Sequence, residues 1–501
     1  MQKIKTGLRR KFTNFFLDPT CEILMEIKVI FSLRFLRFLF LLSIIFRLLF
    51  LKILHPNQPS SFAPDEGTYA SLAEYISSGL AVQNFPEYVP ALYKQSMSLV
   101  GPSSLLIKAG VDPLQSVRIL STIYGFLVPI MVLLCLVAVR KSEVSFEKLN
   151  REIKSPLAVS ILIFLFLIPS NFLWSTLGLR ESASQFWILA QTYFMIKVFQ
   201  SKNSTILQFG FLALISSVFS FGSRPQTALM LSIFLIALGI LVALRKRALS
   251  FLLVSIFSIL AGNAFAGTPE VKLVSTWSLI KSSDVEQIQK PKIGEEERDK
   301  LSEAANNLCS ISNQRVRISN VDYKCVLIHV EKKSLILSLT SLPTNIDVST
   351  LEERRNTNRI GASSALAPSS CYKLFDELTS LKCNISEIPY RLSAFLLRPF
   401  LLIDHGSSFL LLAGLENVAW TLLFILTFYN LAKIRRKTPS KEYLFSVTAF
   451  LVLFSTAAAL YEGNLGTAFR HKSTIIGHLV LINLIAISSR ELKSQGSSTQ
   501  N

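Results

Sequence analysis

Apolar residues run along this chain in long unbroken blocks, separated by short polar connections that are mostly basic. The blocks lie near 33–54, 116–139, 156–174, 183–200, 205–222, 226–244, 248–266, 408–432, 442–461 and 473–489. At ~1.5 Å per helical residue, blocks of this length match a hydrocarbon core of ~30 Å. Lipid offers no partner to an open backbone, so the pattern predicts helices. The expected fold class is an all-α polytopic membrane protein, a bundle of about ten transmembrane helices. Two large polar segments, 55–115 and 267–407, interrupt it.

Composition agrees with the pattern. Half of the 501 residues are apolar, 37 are Phe and 17% are charged, a surplus of apolar side chains that a soluble globule has no core to hold. The net charge of +19 would suit nucleic acid, but its placement points elsewhere. Lys3, Lys5, Arg9, Arg10 and Lys11, then Arg140 and Lys141, then Arg245, Lys246 and Arg247, then Lys433, Arg435, Arg436 and Lys437 all sit between apolar blocks. That is how cytoplasmic loops are marked, and no nucleic-acid partner is expected.

With the basic N-terminus inside, alternation puts 140–155, 200–204, 245–248, 433–441 and the C-terminal tail inside. The segments 55–115, 175–182, 223–225, 267–407 and 462–472 fall outside. This one orientation places every basic loop on the cytoplasmic side. The first block carries Arg37 and Arg47 and no small-residue cleavage site follows it, so it reads as a retained span. The expected organisation is a cytoplasmic N-terminus (1–32), a transmembrane core (33–266) with the outer loop 55–115, an outer segment (267–407), C-terminal helices (408–489) and a cytoplasmic tail (490–501). The expected location is a bacterial plasma membrane, with both termini cytoplasmic.

Cys309, Cys325, Cys371 and Cys383 all lie in the second outer segment. On the outer side of a membrane they suggest two disulfides, with three pairings open. A zinc site fits less well, with no Cys-x-x-Cys spacing and only His329 nearby. Asn384-Ile385-Ser386 is a glycosylation sequon on the same side.

Candidate chemistry gathers at the outer ends of the blocks. Asp65 and Glu66 follow the first block in Pro64-Asp65-Glu66-Gly67-Thr68-Tyr69. Transfer of a glycosyl group to a hydroxyl needs a base, and a carboxylate is the usual one. A carboxylate also holds a divalent metal on a phosphate; the sequence does not require one, so the cofactor stays open. By itself, such an acidic pair is more often a solvated face. Arg180-Glu181 and Arg224 occupy two short outer turns. Glu181 is either a second carboxylate of the site or half of a helix-capping ion pair, and Arg224 either meets a phosphate or snorkels.

The turn Tyr461–Lys472 places Arg470, His471 and Lys472 after two glycines. Positive charge on the outer side runs against the inside bias and suits a lipid phosphate, which Arg grips as a fork; a headgroup anchor is the plainer reading. Arg398, Asp404 and His405 either line a lipid-donor groove or, as such residues more often do, mark the water boundary, and Glu416-Asn417 inside a block call for a partner or a cavity, by default a partner on a neighbouring helix. No Walker or dinucleotide glycine pattern is present.

The stretch Pro64–Gly79 resembles the first outer loop of the GT-C glycosyltransferases, above all the protein-mannosyltransferase and aminoarabinose-transferase group. The similarity continues through Leu92-Tyr93-Lys94-Gln95, Val117-Arg118-Ile119-Leu120-Ser121, Leu179-Arg180-Glu181 and Ser223-Arg224-Pro225, over about residues 30–245. Gln95-Ser96 stands where the family has Pro, and Thr68 where some members carry Arg.

The resemblance implies a transferase that takes a sugar from a polyprenyl-phosphate-linked lipid and passes it to a hydroxyl of a glycan, lipid or protein acceptor, in contact with membrane lipids. It makes Asp65 and Glu66 the candidate catalytic pair, with Asp65 the base or the carboxylate that orients the acceptor. It gives Lys94 to the donor phosphate and Tyr69 to the lining of the cavity, with Glu181, Arg224, Arg470 and His471 the further substrate-binding candidates. A polysaccharide polymerase or ligase using a pyrophosphate-linked glycan would instead centre on Arg470-His471. A transporter would show paired halves, which are not detectable here.

Overall fold

The computed structural model describes residues 19–54, 64–78, 88–141, 146–201, 203–241, 248–266, 315–318, 321–329, 334–339, 386, 388–400, 408–433, 441–461 and 465–496. Within the described residues the apolar blocks fall on helices, the block 156–174 on two of them. Helix α1 (Pro19–Ser32) meets α2 (Arg34–Leu54) at a bend of 93°. There follow α3 (Pro64–Ser77), α4 (Tyr88–Lys108), α5 (Pro113–Lys141), α6 (Phe146–Ile153), α7 (Pro156–Leu167) and α8 (Pro169–Thr176). Then come α9 (Arg180–Gln200), α10 (Asn203–Phe221), α11 (Pro225–Leu241) and α12 (Ala248–Ala266).

The segment 267–407 supplies the one departure from helix among the described residues. Strands β1 (Arg315–Ile318), β2 (Val321–His329) and β3 (Ser334–Leu339) form an antiparallel meander in the order β1-β2-β3, which hydropathy did not foresee. Helices α13 (Ile388–Leu397), α14 (Ser408–Lys433), α15 (Lys441–Tyr461), α16 (Leu465–Lys472) and α17 (Ile476–Gly496) complete the chain.

Local signals set the helix ends. Pro156 opens α7 behind Ser155, whose hydroxyl accepts from the Ala158 amide at 3.4 Å, an N-cap followed by the proline a first turn tolerates. The block 156–174, expected as one helix, breaks at Pro169. Pro pushes the residue before it out of the helical region, and Ile168 is extended, with φ −64° and ψ 122°. Gly178, at φ +63°, turns the chain from α8 into α9. A Cβ there would meet Val117 Cγ2 at 2.9 Å. Gly178→Ala is therefore expected to destabilise the protein by ~1–3 kcal/mol through strain and overpacking, read as a lowered thermal midpoint in detergent.

The core runs along α5, α7, α9 and α17, with Val132, Leu136, Leu162, Leu189, Leu481 and Ile485 all buried. The outer surface is apolar. Phe38, Leu41 and Leu48 on α2 and Leu415, Leu422 and Phe428 on α14 are more than half exposed, whereas Arg47, Arg118, Glu181, Lys197 and Lys472 are buried. Apolar outside and charge within is the reverse of a soluble surface and suits lipid.

By length and composition, three described helical stretches suffice to cross a membrane: Pro113–Arg140, Pro156–Thr176 and Leu411–Ala432. The bent pair α1–α2 makes up to four. Ten crossings were expected. Among the described residues α10, α11, α12 and α15 carry apolar stretches of 10–17 residues, and α9 carries buried Ser182, Gln185, Gln191 and Lys197 along its length.

Candidate functional site

The site begins at the first turn of α3. Pro64 opens the helix and Asp65 and Glu66 follow, where carboxylates favour the positive end of the helix dipole. The two acids then part. Glu66 turns inward, fully buried, and pairs with the equally buried Arg118 of α5. Asp65 stays at the surface with its side chain 47% exposed. Tyr69, one turn on, is buried beneath them.

Arg470 of α16 joins Asp65 to the rest of the site. Its Nη2 donates to Asp65 Oδ2 at 2.7 Å and its Nε donates to Glu181 Oε1 at 2.7 Å. Glu181, the second residue of α9, is wholly buried. The same Oε1 also accepts from Nη2 of Arg224, which lies in the turn between α10 and α11. Arg180 Nη1 donates to the Gln95 carbonyl at 3.2 Å, and its charge acts on Tyr69, Glu181 and Arg224. Four stretches distant in sequence thus place Asp65, Tyr69, Glu181, Arg224 and Arg470 together, all of them named from the sequence.

Charge organises the cluster. Three guanidiniums face two carboxylates, leaving one surplus positive charge. Burial alone would raise the Glu181 pKa, but Arg470, Arg224 and Arg180 together hold it well below the usual carboxylate range. Burial would likewise lower the Arg470 pKa, yet Glu181 and Asp65 raise it overall. The Tyr69 hydroxyl is pushed up, mainly by burial, and stays protonated. Arg180 Nε, Arg224 Nε and Glu181 Oε2 are buried with no hydrogen-bond partner. Two unfilled guanidinium donors beside a surplus positive charge suit an anion with acceptor oxygens.

Other candidates stand apart from the network. Lys94 is half-buried on α4, which packs against α3, and has no ion pair among the described residues. His471 is half-buried and engaged in an interaction of its own. Among the described residues no three His, Cys, Asp or Glu side chains gather as a metal-ligand set. Cys309, Cys371 and Cys383 and the residues Asn384 and Ile385 of the sequon lie outside the described residues, and Cys325 is described only as backbone in β2. Glu416 has the partners its position demanded: it accepts from the Ser170 amide at 2.7 Å, the Ser170 hydroxyl at 2.6 Å and Trp420 Nε1 at 2.9 Å.

Two residues of the site had no role assigned from the sequence. Arg118 sits within a quoted motif, and its position in the first turns of α5, level with Glu66, was the available signal. Lys472 was one cation among three; burial pulls its ammonium down to about 7 against the opposing effect of Glu416.

No protein-family model matches this chain, and no curated protein matches it in sequence. The resemblance to GT-C glycosyltransferases therefore rests on the short motifs quoted above.

The contrast between the neighbouring acids gives a clean prediction. Glu66→Ala leaves Arg118 charged and buried without its carboxylate, an expected loss of ~3–5 kcal/mol. Asp65→Asn breaks a partly solvated pair and should change stability by under ~1 kcal/mol. Thermal unfolding of both variants in one detergent checks the difference; equal midpoints would mean that Glu66 does not hold the fold.

Proposed function

We propose that this protein is a membrane glycosyltransferase, a bundle of about ten spans that moves a sugar from a polyprenyl-phosphate-linked donor to a hydroxyl acceptor on the exocytoplasmic face. The observation that carries this reading is the Arg470 fork. It holds an accessible carboxylate, Asp65, and a buried one, Glu181, in one network with two further guanidiniums.

The roles follow from exposure. Asp65 reaches solvent, so an acceptor hydroxyl can hydrogen-bond to it. As the hydroxyl oxygen bonds to the anomeric carbon, its proton passes to the Asp65 carboxylate. The bond between that carbon and the phosphate oxygen breaks, and its electron pair leaves with the lipid phosphate, which gains one negative charge. Arg470, Arg224 and Arg180 surround that charge, and stabilising the leaving group supplies most of the rate. Attack opposite the leaving group inverts the anomeric centre.

Glu181 anchors the guanidiniums and touches no substrate. Glu66 likewise positions: its pair with Arg118 fixes the start of α3 and so the place of Asp65. Lys94, with no ion pair among the described residues, offers its ammonium to the donor phosphate. A single surplus positive charge matches a phosphodiester better than a pyrophosphate, which favours this reading over a polymerase fed by a pyrophosphate-linked glycan.

The test is reconstitution. Vesicles containing the protein and a polyprenyl monophosphate carrying a radiolabelled sugar should release the lipid phosphate and pass label to a hydroxyl acceptor. Movement of the intact lipid across the bilayer without loss of label would establish a transporter instead. Turnover of the pyrophosphate-linked donor alone would establish the polymerase.

A further inference from the structure

Lys472 is a buried cation with no direct carboxylate partner among the described residues, two residues beyond Arg470 on the same short helix. Its side chain is wholly buried. Nζ donates to the carbonyls of Leu396 at 3.1 Å and Arg398 at 3.3 Å and to Oδ1 of Asn417. These three acceptors use all three ammonium hydrogens. The rings of Phe469 and Trp420 flank it, with centroids 4.9 Å and 5.3 Å from Nζ. Leu396 and Arg398 lie at the C-terminal end of α13, whose last carbonyls have no partner within the helix and carry the negative end of its dipole. Asn417 belongs to α14, and its amide nitrogen donates to the Leu397 and Pro399 carbonyls, the second at 3.2 Å. The next residue along, Ser473, donates to the Arg470 carbonyl at 2.6 Å and accepts from Gln185 Nε2 of α9 at 3.3 Å.

Burying an ammonium is costly unless every proton is satisfied, and here the satisfaction comes from two other helices. We infer that Lys472 is the positioning residue of the site: it pins α16 to the end of α13 and to α14, so that Arg470 is aimed at Asp65 and Glu181 at once. The inference rests on the proposed role of Arg470 in holding a lipid phosphate. Lys472 itself touches neither carboxylate. It acts by fixing the helix that carries the fork, while the Ser473–Gln185 bond ties that helix to the one bearing Glu181. It also links the return of the second outer segment, through α13, to the reacting centre.

The probe is farnesyl phosphate, with binding to the full chain in detergent micelles followed by phosphorus NMR, which registers even millimolar affinity. Lys472→Met should weaken binding by roughly tenfold, the size of coupling seen between groups that share partners. The same change in an Arg470→Gln background should bring no further loss, because nothing remains to be aimed. Asn417→Leu, a milder change that leaves the ammonium two of its acceptors, should weaken binding in the same direction and covers the case in which Lys472→Met does not fold. Unchanged binding in the single variants, or an equal further loss without Arg470, would overturn the inference while leaving the functional reading standing. Absence of farnesyl phosphate binding by the unaltered protein would overturn both.

Discussion

Replacing Asp65 by Asn is expected to abolish sugar transfer and, in the same variant, to tighten binding of the lipid phosphate. The first effect follows from loss of the base, a contribution of about 10²–10⁴-fold in rate. The second follows from the Arg470 fork. Its Nε is committed to buried Glu181, so an incoming phosphate competes with Asp65 for Nη2. Neutralising Asp65 ends that competition. A partly exposed ion pair is worth ~0.2–1 kcal/mol, which sets the gain at about 1.4- to fivefold. The sign discriminates. Were Asp65 to hold the phosphate through a metal ion, the same variant would bind it more weakly. Farnesyl phosphate titration and a transfer assay on one preparation decide between the two.

Glu181→Ala is expected to have a large effect on the fold and on the chemistry at once. It removes the shared acceptor of Arg224 and Arg470 and leaves buried guanidinium charge behind, at a cost of about 3–5 kcal/mol. Transfer should fall roughly a hundredfold, the scale of loss when a catalytic group shifts by about an ångström. Adding Arg224→Met should recover part of the stability, since removing both partners of a buried pair is far milder than removing one, yet leave transfer low because Arg470 still lacks its anchor. Full recovery of transfer in the double variant would show that Glu181 serves only the fold.

The low pKa of Glu181 adds a pH dependence. Because the folded value lies below the ordinary 4.5, its stabilising contribution is complete above that ordinary range and drains away as pH falls beneath it. Glu181→Gln should therefore flatten the acid side of the stability profile, measured as thermal midpoint against pH.

The outer ends of the apolar blocks were legible, and with them most of the site. Asp65, Glu181, Arg224 and Arg470 each sit where a block begins or ends, and alternation alone assigns them to one face; the structure then brings them into one network across 405 residues of sequence. What hydropathy could not supply is lateral packing. It does not say that Glu66 turns inward to Arg118 while its neighbour faces solvent, because the choice depends on which helix lies behind α3. It does not show that Lys472 reaches the end of α13, since that contact joins two polar segments separate in sequence. A run of apolar residues also does not reveal that Pro169 will divide its helix, or that α9 gives much of its length to amides and hydroxyls. Glu416 was the reverse case. Its burial cost was readable, so a partner was required, although Ser170 and Trp420 could not be named.

Those amides and hydroxyls of α9 bear on biogenesis. Gln191 donates to Ser232 of α11 at 3.1 Å, and Thr192 shares a hydrogen bond with His478 of α17 at 3.0 Å. Both partners are synthesised after α9. A segment this polar partitions poorly into a bilayer by itself, so it depends on later helices to satisfy it. Nascent chains halted soon after residue 200 should leave it unintegrated, and its entry should coincide with arrival of the last helix, so that the Asp65–Arg470–Glu181 network closes only when translation is nearly complete.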